Sequence, residues 1–174
     1  AIDGAWGLSM RLDSTIYYPR QMMLGALQDS LLILEMGRQI GQQCKLMGIH
    51  INFAPVIDVN NNAKNPVINN RSFGEVKEMV AKYGTMYMKG MQEYNVLACG
   101  KHFPGHGDTD MDSHKSLPTI PHDYDRLDSL ELYPFKALIR EKLASIMVAH
   151  LYIPELDNTE NQASTLSPKI INGL

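Results

Sequence analysis

The sequence predicts an α/β fold with a parallel sheet, because short apolar strand-like segments alternate with amphipathic helical segments along the chain. The strand-like segments are continuous apolar runs, which is typical of strands that helices cover. Each of them ends in a polar residue, and in barrels and open doubly wound sheets such residues gather at the carboxyl ends of the parallel strands. This pattern alone does not distinguish part of a barrel from a small open sheet.

The elements follow one another at regular intervals. The predicted strands cover residues 1–3, 49–59, 96–100 and 145–149, and they end at Asp3, Asp58, Lys101 with His102, and His150. The predicted helices cover residues 21–47, 76–93 and 128–142, and a last one begins at Ser167 and Pro168. Gly48 is predicted to end the first helix. An Asn-rich loop, residues 60–66, follows the second strand and is typical of turns.

Composition limits the class of protein. With 174 residues, of which 44% are hydrophobic and 20% charged, the chain fits one globular domain. The net charge of -3, without any basic stripe, argues against nucleic acid as the main partner. No apolar stretch approaches the roughly 20 residues that a membrane-spanning helix needs. Cys44 and Cys99 lie in apolar surroundings and are predicted to be buried free thiols rather than a disulfide.

The chemistry concentrates in residues 99–118, which hold three histidines, three aspartates and two loop glycines. Since an imidazole can give a proton and take it back, His114 is a candidate acid/base group, and Asp112 could reach its ring, fix the tautomer and stabilise the imidazolium. Spacing alone also allows a turn-forming Asp112 beside a surface histidine. Gly105 and Gly107 permit positive φ angles and a close approach to a ligand.

Lys101 and His102 end the third predicted strand, where cationic side chains suit hydroxyl-rich or anionic substrates. A metal site is the main alternative, since His102, His106, Asp108 and His114 are competent ligands. The His102–His106 spacing suits zinc only on a helix, and Pro104 opposes a helix there. The Ala54–Pro55 and Phe103–Pro104 bonds are candidates for cis peptides.

With these residues in place, the sequence resembles glycoside hydrolase family 3, in its β-N-acetylhexosaminidase branch. The main motif runs from Lys101-His-Phe-Pro-Gly-His-Gly-Asp108 to Thr-Asp110-x-Asp112-Ser-His114. The supporting segments are Ile2-Asp3 with Trp6-Gly7 and Met10-Arg11, Phe53-Ala-Pro-Val56 with Asp58-Val59, Arg71-Ser-Phe-Gly74, and Met147-Val-Ala-His150. They occur in the family's order over nearly the whole chain.

The resemblance implies a partial (β/α)8 TIM-barrel-like fold of about four βα units. Residues 1–174 would form one fragment of the family's N-terminal catalytic barrel, without its first and last strands. The family's hexosaminidases are retaining enzymes that remove terminal β-linked N-acetylglucosamine without a cofactor. The resemblance implies His114 and Asp112 as the general acid/base pair, and it implies sugar binding by Asp3, Arg11, Arg71, Lys101, His102 and His150.

Two departures from the family bear on function. Ala5 stands where the family usually has an acidic residue, which affects the hydrogen bonding around Asp3. The family's nucleophilic Asp follows a later strand, so we expect it beyond Leu174 and expect residues 1–174 alone to be inactive. A catalytically silent carbohydrate-binding piece and a metal hydrolase are the competing hypotheses. We also expect a bacterial protein. The first motif, with Trp6, resembles that of exported members more than that of cytoplasmic ones, so export is favoured. Uncovered sheet edges lead us to expect self-association.

Overall fold

A computed structural model of the chain describes residues 1–112 and 116–174. The strands are β1 (Ile51–Asn52), β2 (Leu97–Phe103) and β3 (Ser145–Val148). The helices are α1 (Gln21–Gly25), α2 (Leu31–Leu46), α3 (Lys77–Gln92), α4 (Tyr124–Arg126), α5 (Leu132–Arg140) and α6 (Pro168–Gly173). A π-helical turn, Leu127–Glu131, joins α4 to α5, and short 3₁₀ turns cover Leu8–Met10, Asn69–Arg71 and Ser164–Leu166.

The strands form a parallel sheet in chain order, β1–β2–β3. The predicted first strand is present as a single parallel bridge from Ile2 to Asn52, on the outer side of β1. Strands that neighbour one another in chain order, each connected through helices, are the arrangement of a (β/α)8 barrel. The predicted α/β class is confirmed, and the sheet is consistent with part of such a barrel.

Two predicted elements are shorter or broken in the structure. The helix predicted over residues 21–47 is two helices, α1 and α2, because Gly25 packs against the Phe73 carbonyl and Asp29 accepts the Leu31 amide as α2 begins. The strand predicted over residues 49–59 pairs regularly only at Ile51–Asn52, and Val56 adds an isolated bridge to β2. The Ala54–Pro55 bond between them is cis, as predicted.

The remaining elements match closely. The helix predicted at 76–93 is α3, and the helix predicted at 128–142 is α5 with its preceding π turn. Gly48 follows α2 at φ 69°, as predicted for a helix-terminating glycine. Ser167 caps α6 by accepting the Ile170 amide, and Pro168 takes the first helical position.

The core lies between the sheet and the helix layer. Helices α2 and α3 pack closely because Gly37 and Gly90 leave room for the facing backbone; a Cβ at Gly90 would lie 2.4 Å from the Leu34 oxygen. Cys44 and Cys99 are buried free thiols, as predicted. Among residues 1–112 and 116–174, no helix is long and apolar enough to cross a membrane.

Candidate functional site

Two adjoining cavities lie at the carboxyl ends of the strands. The deeper one, about 330 Å³, is lined by Asp3, Arg71, Lys101, His102, His106 and His150 together with Val67 and Met147–Ala149. The outer one, about 540 Å³, shares Asp3 and Arg71 and adds Arg11, Trp6 and Arg20. All six side chains that the sequence suggested for sugar binding therefore line one continuous depression. Cavities of this size suit small-molecule ligands.

The centre of this depression is an ion pair between Lys101 and Asp3. The Nζ atom of Lys101 lies 2.7 Å from Oδ1 of Asp3, and the Lys101 side chain is only 1% exposed. Burial opposes ionisation of Asp3, but the hydrogen bond and charge of Lys101, with help from Arg11 and Arg71, lower its pKa below the ordinary value. Burial lowers the pKa of Lys101, and the Asp3 carboxylate offsets part of that effect.

Two arginines extend the cationic lining. Arg11 reaches back to Asp3, with its Nε donating to the Asp3 carbonyl at 3.1 Å and its guanidinium 3.4 Å from the carboxylate. The side chain of Arg11 is half-exposed, so it can also donate to a ligand. Arg71 donates to the Val67 carbonyl at 3.2 Å, and its other terminal nitrogen lies 3.3 Å from Nε2 of His102. The depression thus combines fixed donors with the acceptor oxygens of Asp3, as recognition of a hydroxyl-rich ligand requires.

Asp58 is a site residue that the sequence did not identify. Its signals in the sequence were its place at a strand end and in the Asp58-Val59 segment of the family resemblance, but it was not among the predicted catalytic or sugar-binding residues. In the structure its fully buried carboxylate lies 2.8 Å from Nδ1 of His102 and also accepts the His102 and His106 amides. Burial opposes its ionisation, but the His102 ring and the amide donors lower its pKa below the ordinary value. Asp58 therefore anchors both His102 and the loop that follows β2.

That loop is held by contacts on several sides. Asn65, from the Asn-rich segment, donates to the carbonyls of His106 and Gly107 at 2.7 and 3.1 Å. The Asp108 carboxylate lies 2.6 Å from Nε2 of His122. Gly105 has φ 133°, as expected, whereas Gly107 does not adopt a positive φ. Gly107 is needed for another reason, since a Cβ there would lie 1.7 Å from the Val59 carbonyl oxygen. It approaches backbone rather than a ligand.

The predicted acid/base pair lies only partly within the described residues. Asp112 is half-buried, and its carbonyl accepts the Ser116 amide at 3.2 Å. His114 lies outside the described residues, so the pairing of Asp112 with His114 stays a prediction. His150 lines the deeper cavity, with its Nδ1 3.0 Å from the Thr165 hydroxyl.

Three of the four residues of the metal alternative make other contacts, and the fourth, His114, lies outside the described residues. His102 contacts Asp58, and Nδ1 of His106 lies 2.7 Å from the Thr109 hydroxyl. Asp108 contacts His122 and Arg126. Within residues 1–112 and 116–174, no three His, Cys, Asp or Glu residues form a group that could hold a metal ion. The Phe103–Pro104 bond is cis, as predicted, and the Lys101–His102 bond is cis as well.

Comparison with known proteins gives matches along the whole chain. The model of the family described as "Glycosyl hydrolase family 3 N terminal domain" matches residues 1–174. Beta-hexosaminidase A of Pseudoalteromonas piscicida is 39% identical over 166 residues, which are 92% of this chain and 28% of that protein. Beta-hexosaminidase LpqI of Mycobacterium tuberculosis is 36% identical over 140 residues, covering 80% of this chain and 35% of that protein. The chain thus spans about a third of the length of these relatives.

Solved structures give the same result. A glycoside hydrolase family 3 beta-N-acetylglucosaminidase from Paenibacillus sp. is 43% identical with a TM-score of 0.93, over 98% of this chain and 32% of that one. NagZ from Neisseria gonorrhoeae, in complex with N-trifluoroacetyl-D-glucosamine, is 32% identical with a TM-score of 0.80, over 88% of this chain and 46% of that one. The chain belongs to glycoside hydrolase family 3, and residues 1–174 match the N-terminal domain of that family.

Proposed function

We propose that this chain is part of a retaining β-N-acetylhexosaminidase that removes terminal β-linked N-acetylglucosamine from glycans or cell-wall fragments. The observation that carries the proposal is the cavity around the pair formed by the buried Lys101 and the partly exposed Asp3, where Arg11, Arg71 and His102 also converge. A polar, donor-rich cavity of this size suits one sugar ring. The relatives named as beta-hexosaminidases and the NagZ structure with its bound glucosamine derivative support this choice of sugar.

Asp112 and His114 are proposed as the general acid/base pair. In the first step His114 gives a proton to the oxygen of the leaving group while a carboxylate attacks the anomeric carbon. In the second step His114 takes a proton from water as the glycosyl-enzyme is hydrolysed. Asp112 would orient the imidazole and stabilise its cationic form.

The nucleophile is proposed to lie outside residues 1–174. Two carboxylates close to the cavity are already engaged, since Asp3 is paired with Lys101 and Arg11, and Asp58 is fully buried against His102. Because both carboxylates are held by these partners, neither is proposed as the nucleophile. The proposal therefore assigns binding and acid/base chemistry to this chain and the covalent step to a carboxylate from another segment.

Hydrolysis of p-nitrophenyl N-acetyl-β-D-glucosaminide tests the proposal in two polypeptides. One consists of residues 1–174, and the other continues in the native reading frame beyond Leu174. We expect turnover from the longer polypeptide only, and N-acetylglucosamine binding by both if both show a cooperative thermal transition. Turnover by residues 1–174 would contradict the missing nucleophile. Binding without turnover in both would favour the alternative, a catalytically silent carbohydrate-binding piece.

Export and self-association stay predictions. The relatives reported above are bacterial proteins, and they leave the compartment of this chain open. Cell fractionation tests the expected export, and sedimentation equilibrium of residues 1–174 tests the expected self-association.

A further inference from the structure

Asp58 has an unusual environment for a carboxylate. It is fully buried, and the described hydrogen bonds to its carboxylate come from His102, near the end of β2, and from His106, just after β2. The amides of His102 and His106 donate to it at 3.0 and 2.7 Å, and Nδ1 of His102 lies at 2.8 Å. Its oxygens are therefore directed at a histidine ring rather than at a lysine or arginine.

The first consequence concerns the proton on Nδ1. The His102 ring and the amide donors hold the pKa of Asp58 below its ordinary value despite burial, so the carboxylate is ionised at neutral pH. An ionised carboxylate can only accept hydrogen bonds. At 2.8 Å from such an acceptor, Nδ1 of His102 must carry a hydrogen atom.

The second consequence concerns Nε2, on the other side of the ring. A terminal nitrogen of Arg71 lies 3.3 Å from it, and a guanidinium group can only donate. A lone pair must therefore face Arg71. Burial lowers the pKa of His102, with Arg71 and Lys101 adding to the effect and Asp58 opposing it. The His106 ring also lies nearby, with its centroid 6.0 Å from that of the His102 ring.

We propose that Asp58 is a positioning residue that fixes His102 as the neutral Nδ1–H tautomer, so that Nε2 and Arg71 together select a hydroxyl group of the substrate. A hydroxyl that enters between Nε2 and Arg71, in place of their direct hydrogen bond, would accept from Arg71 and donate to Nε2, which is the one polarity that both partners permit. An ether oxygen could accept from Arg71 but could not donate to Nε2. This inference rests on the proposed function for the identity of the ligand, but the tautomer does not depend on it.

Replacement of Asp58 by Asn keeps the size of the side chain but changes its hydrogen bonding, so it separates control of the His102 tautomer from simple packing. If the Asn amide nitrogen faces Nδ1, it requires the opposite tautomer, whose Nε2–H then points at Arg71. If the nitrogen faces the His106 amide instead, two donors meet. Asp58 accepts at both carboxylate oxygens, from Nδ1 of His102 and from the His106 amide. Asn has only one acceptor oxygen, so either orientation loses one of these two interactions.

Nitrogen-15 NMR of histidine-labelled protein, expressed from its native reading frame, tests the tautomer directly. We expect a protonated Nδ1 and an unprotonated Nε2 for His102 in the wild type at pH 7, with His102→Gln identifying the signals. Asp58→Asn should shift them toward the Nε2–H form. Asp108→Asn alters a second Asp–His contact among the described residues, at His122, and should leave the His102 signals unchanged. A wild-type His102 that is Nε2–H or doubly protonated at pH 7 would overturn the proposal, even if Asp58→Asn did not fold.

Calorimetry with mono-O-methyl ethers of N-acetylglucosamine tests the selection of a hydroxyl. In the wild type, one ether should bind on the order of tenfold more weakly than the parent sugar, as expected for the loss of a hydrogen bond to a polar site. That difference should shrink in Asp58→Asn. Equal binding of every ether by the wild type would contradict the selection. Absence of binding of N-acetylglucosamine itself, with the expected tautomer, would instead contradict the proposed substrate and so the hydroxyl-selecting half of this inference.

Discussion

The ammonium group of Lys101 and the carboxylate of Asp3 lie 2.7 Å apart, although 98 residues separate them along the chain. Asp3 follows the Ile2 bridge at one side of the sheet, and Lys101 lies within β2, two positions away across β1. The parallel pairing of successive strands brings their carboxyl ends together and so creates the pair. The pair at the centre of the cavity is thus a direct product of the sheet order.

Replacement of Lys101 by Met should abolish sugar binding at moderate cost in stability. The free energy of unfolding should fall by about 1–2 kcal/mol, between the values for exposed and fully buried pairs, because the Asp3 side chain is 40% exposed and water can solvate it. Urea denaturation and calorimetry with N-acetylglucosamine measure the two effects. Lys136→Met, at an exposed pair with Asp128, is the control and should change neither by much. Unchanged affinity in Lys101→Met would contradict a binding role.

Stability should fall on acidification in two stages. His102 has a lowered pKa in the folded protein, so below about pH 6.5, its ordinary value, the unfolded chain takes up a proton that the folded chain does not. Asp3 and Asp58 also have lowered pKa values, and their contribution is lost as the pH falls below about 3.8. Each such group adds a slope of at most about 1.4 kcal/mol per pH unit.

Urea denaturation at a series of pH values from 7.5 to 3 checks this dependence. His102→Gln should flatten the upper stage, because glutamine does not titrate. It should also reduce the lower stage, because Asp58 loses the ring that helps to lower its pKa. If His102→Gln loses as much stability in the upper stage as the wild type does, that stage belongs to other titrating groups. A free energy of unfolding that increases as the pH is lowered from 6.5 to 5 would contradict the lowered pKa of His102.

Replacement of Asp112 by Asn should selectively impair catalysis by the longer polypeptide, which is expected to be active. Loss of the orienting carboxylate should lower kcat by a factor on the order of 10²–10⁴ for alkyl glycosides, whose leaving groups need a proton. The loss should be smaller for dinitrophenyl glycosides, which leave as stable anions. Asp110→Asn, at an exposed carboxylate two residues earlier, is the matched control. Equal losses for both classes of leaving group would argue for a structural role of Asp112.

Replacement of Gly107 by Ala should destabilise the loop that carries Asp112. The added Cβ would collide with the Val59 carbonyl, and overpacking of this kind costs typically about 1–3 kcal/mol. Gly173→Ala is the control, because nothing lies within 4 Å of a Cβ there. Thermal unfolding measures the loss of stability, and kcat of the longer polypeptide measures the effect on the loop that carries Asp112. A variant with unchanged stability would show that the Val59 backbone yields easily.

The sequence was most informative where one physical rule decided the structure. Period-3.6 patterning placed α3, and the sequence of Ser167 and Pro168 placed the start of α6. Polar residues at the strand ends indicated the side chains that line the cavities, since parallel strands bring those ends together. The break between α1 and α2 escaped the pattern because it depends on a tertiary contact of Gly25 with Phe73.

The role of Asp58 could not be predicted for a similar reason. A buried carboxylate resembles any other aspartate in the sequence, and only the fold shows that its partners are His102 and the His106 amide. The predicted extent of β1 was also wrong. A β-branched composition favours a strand, but pairing with a neighbouring strand decides whether one forms. Local chemistry predicted which groups converge, and three-dimensional packing decided how they are held.

The close packing of α2 on α3 has a consequence for engineering. Gly37, Gly41 and Gly90 carry no chemistry, yet a Cβ at any of them would come within 3.0 Å of backbone on the facing helix. Helix α3 leads directly into β2, whose end carries Lys101 and His102, so a displaced helix would shift the residues of the cavity. Libraries that aim to alter specificity should therefore vary Trp6, Tyr17 and Arg20 at the open side of the site and leave these three distant glycines fixed.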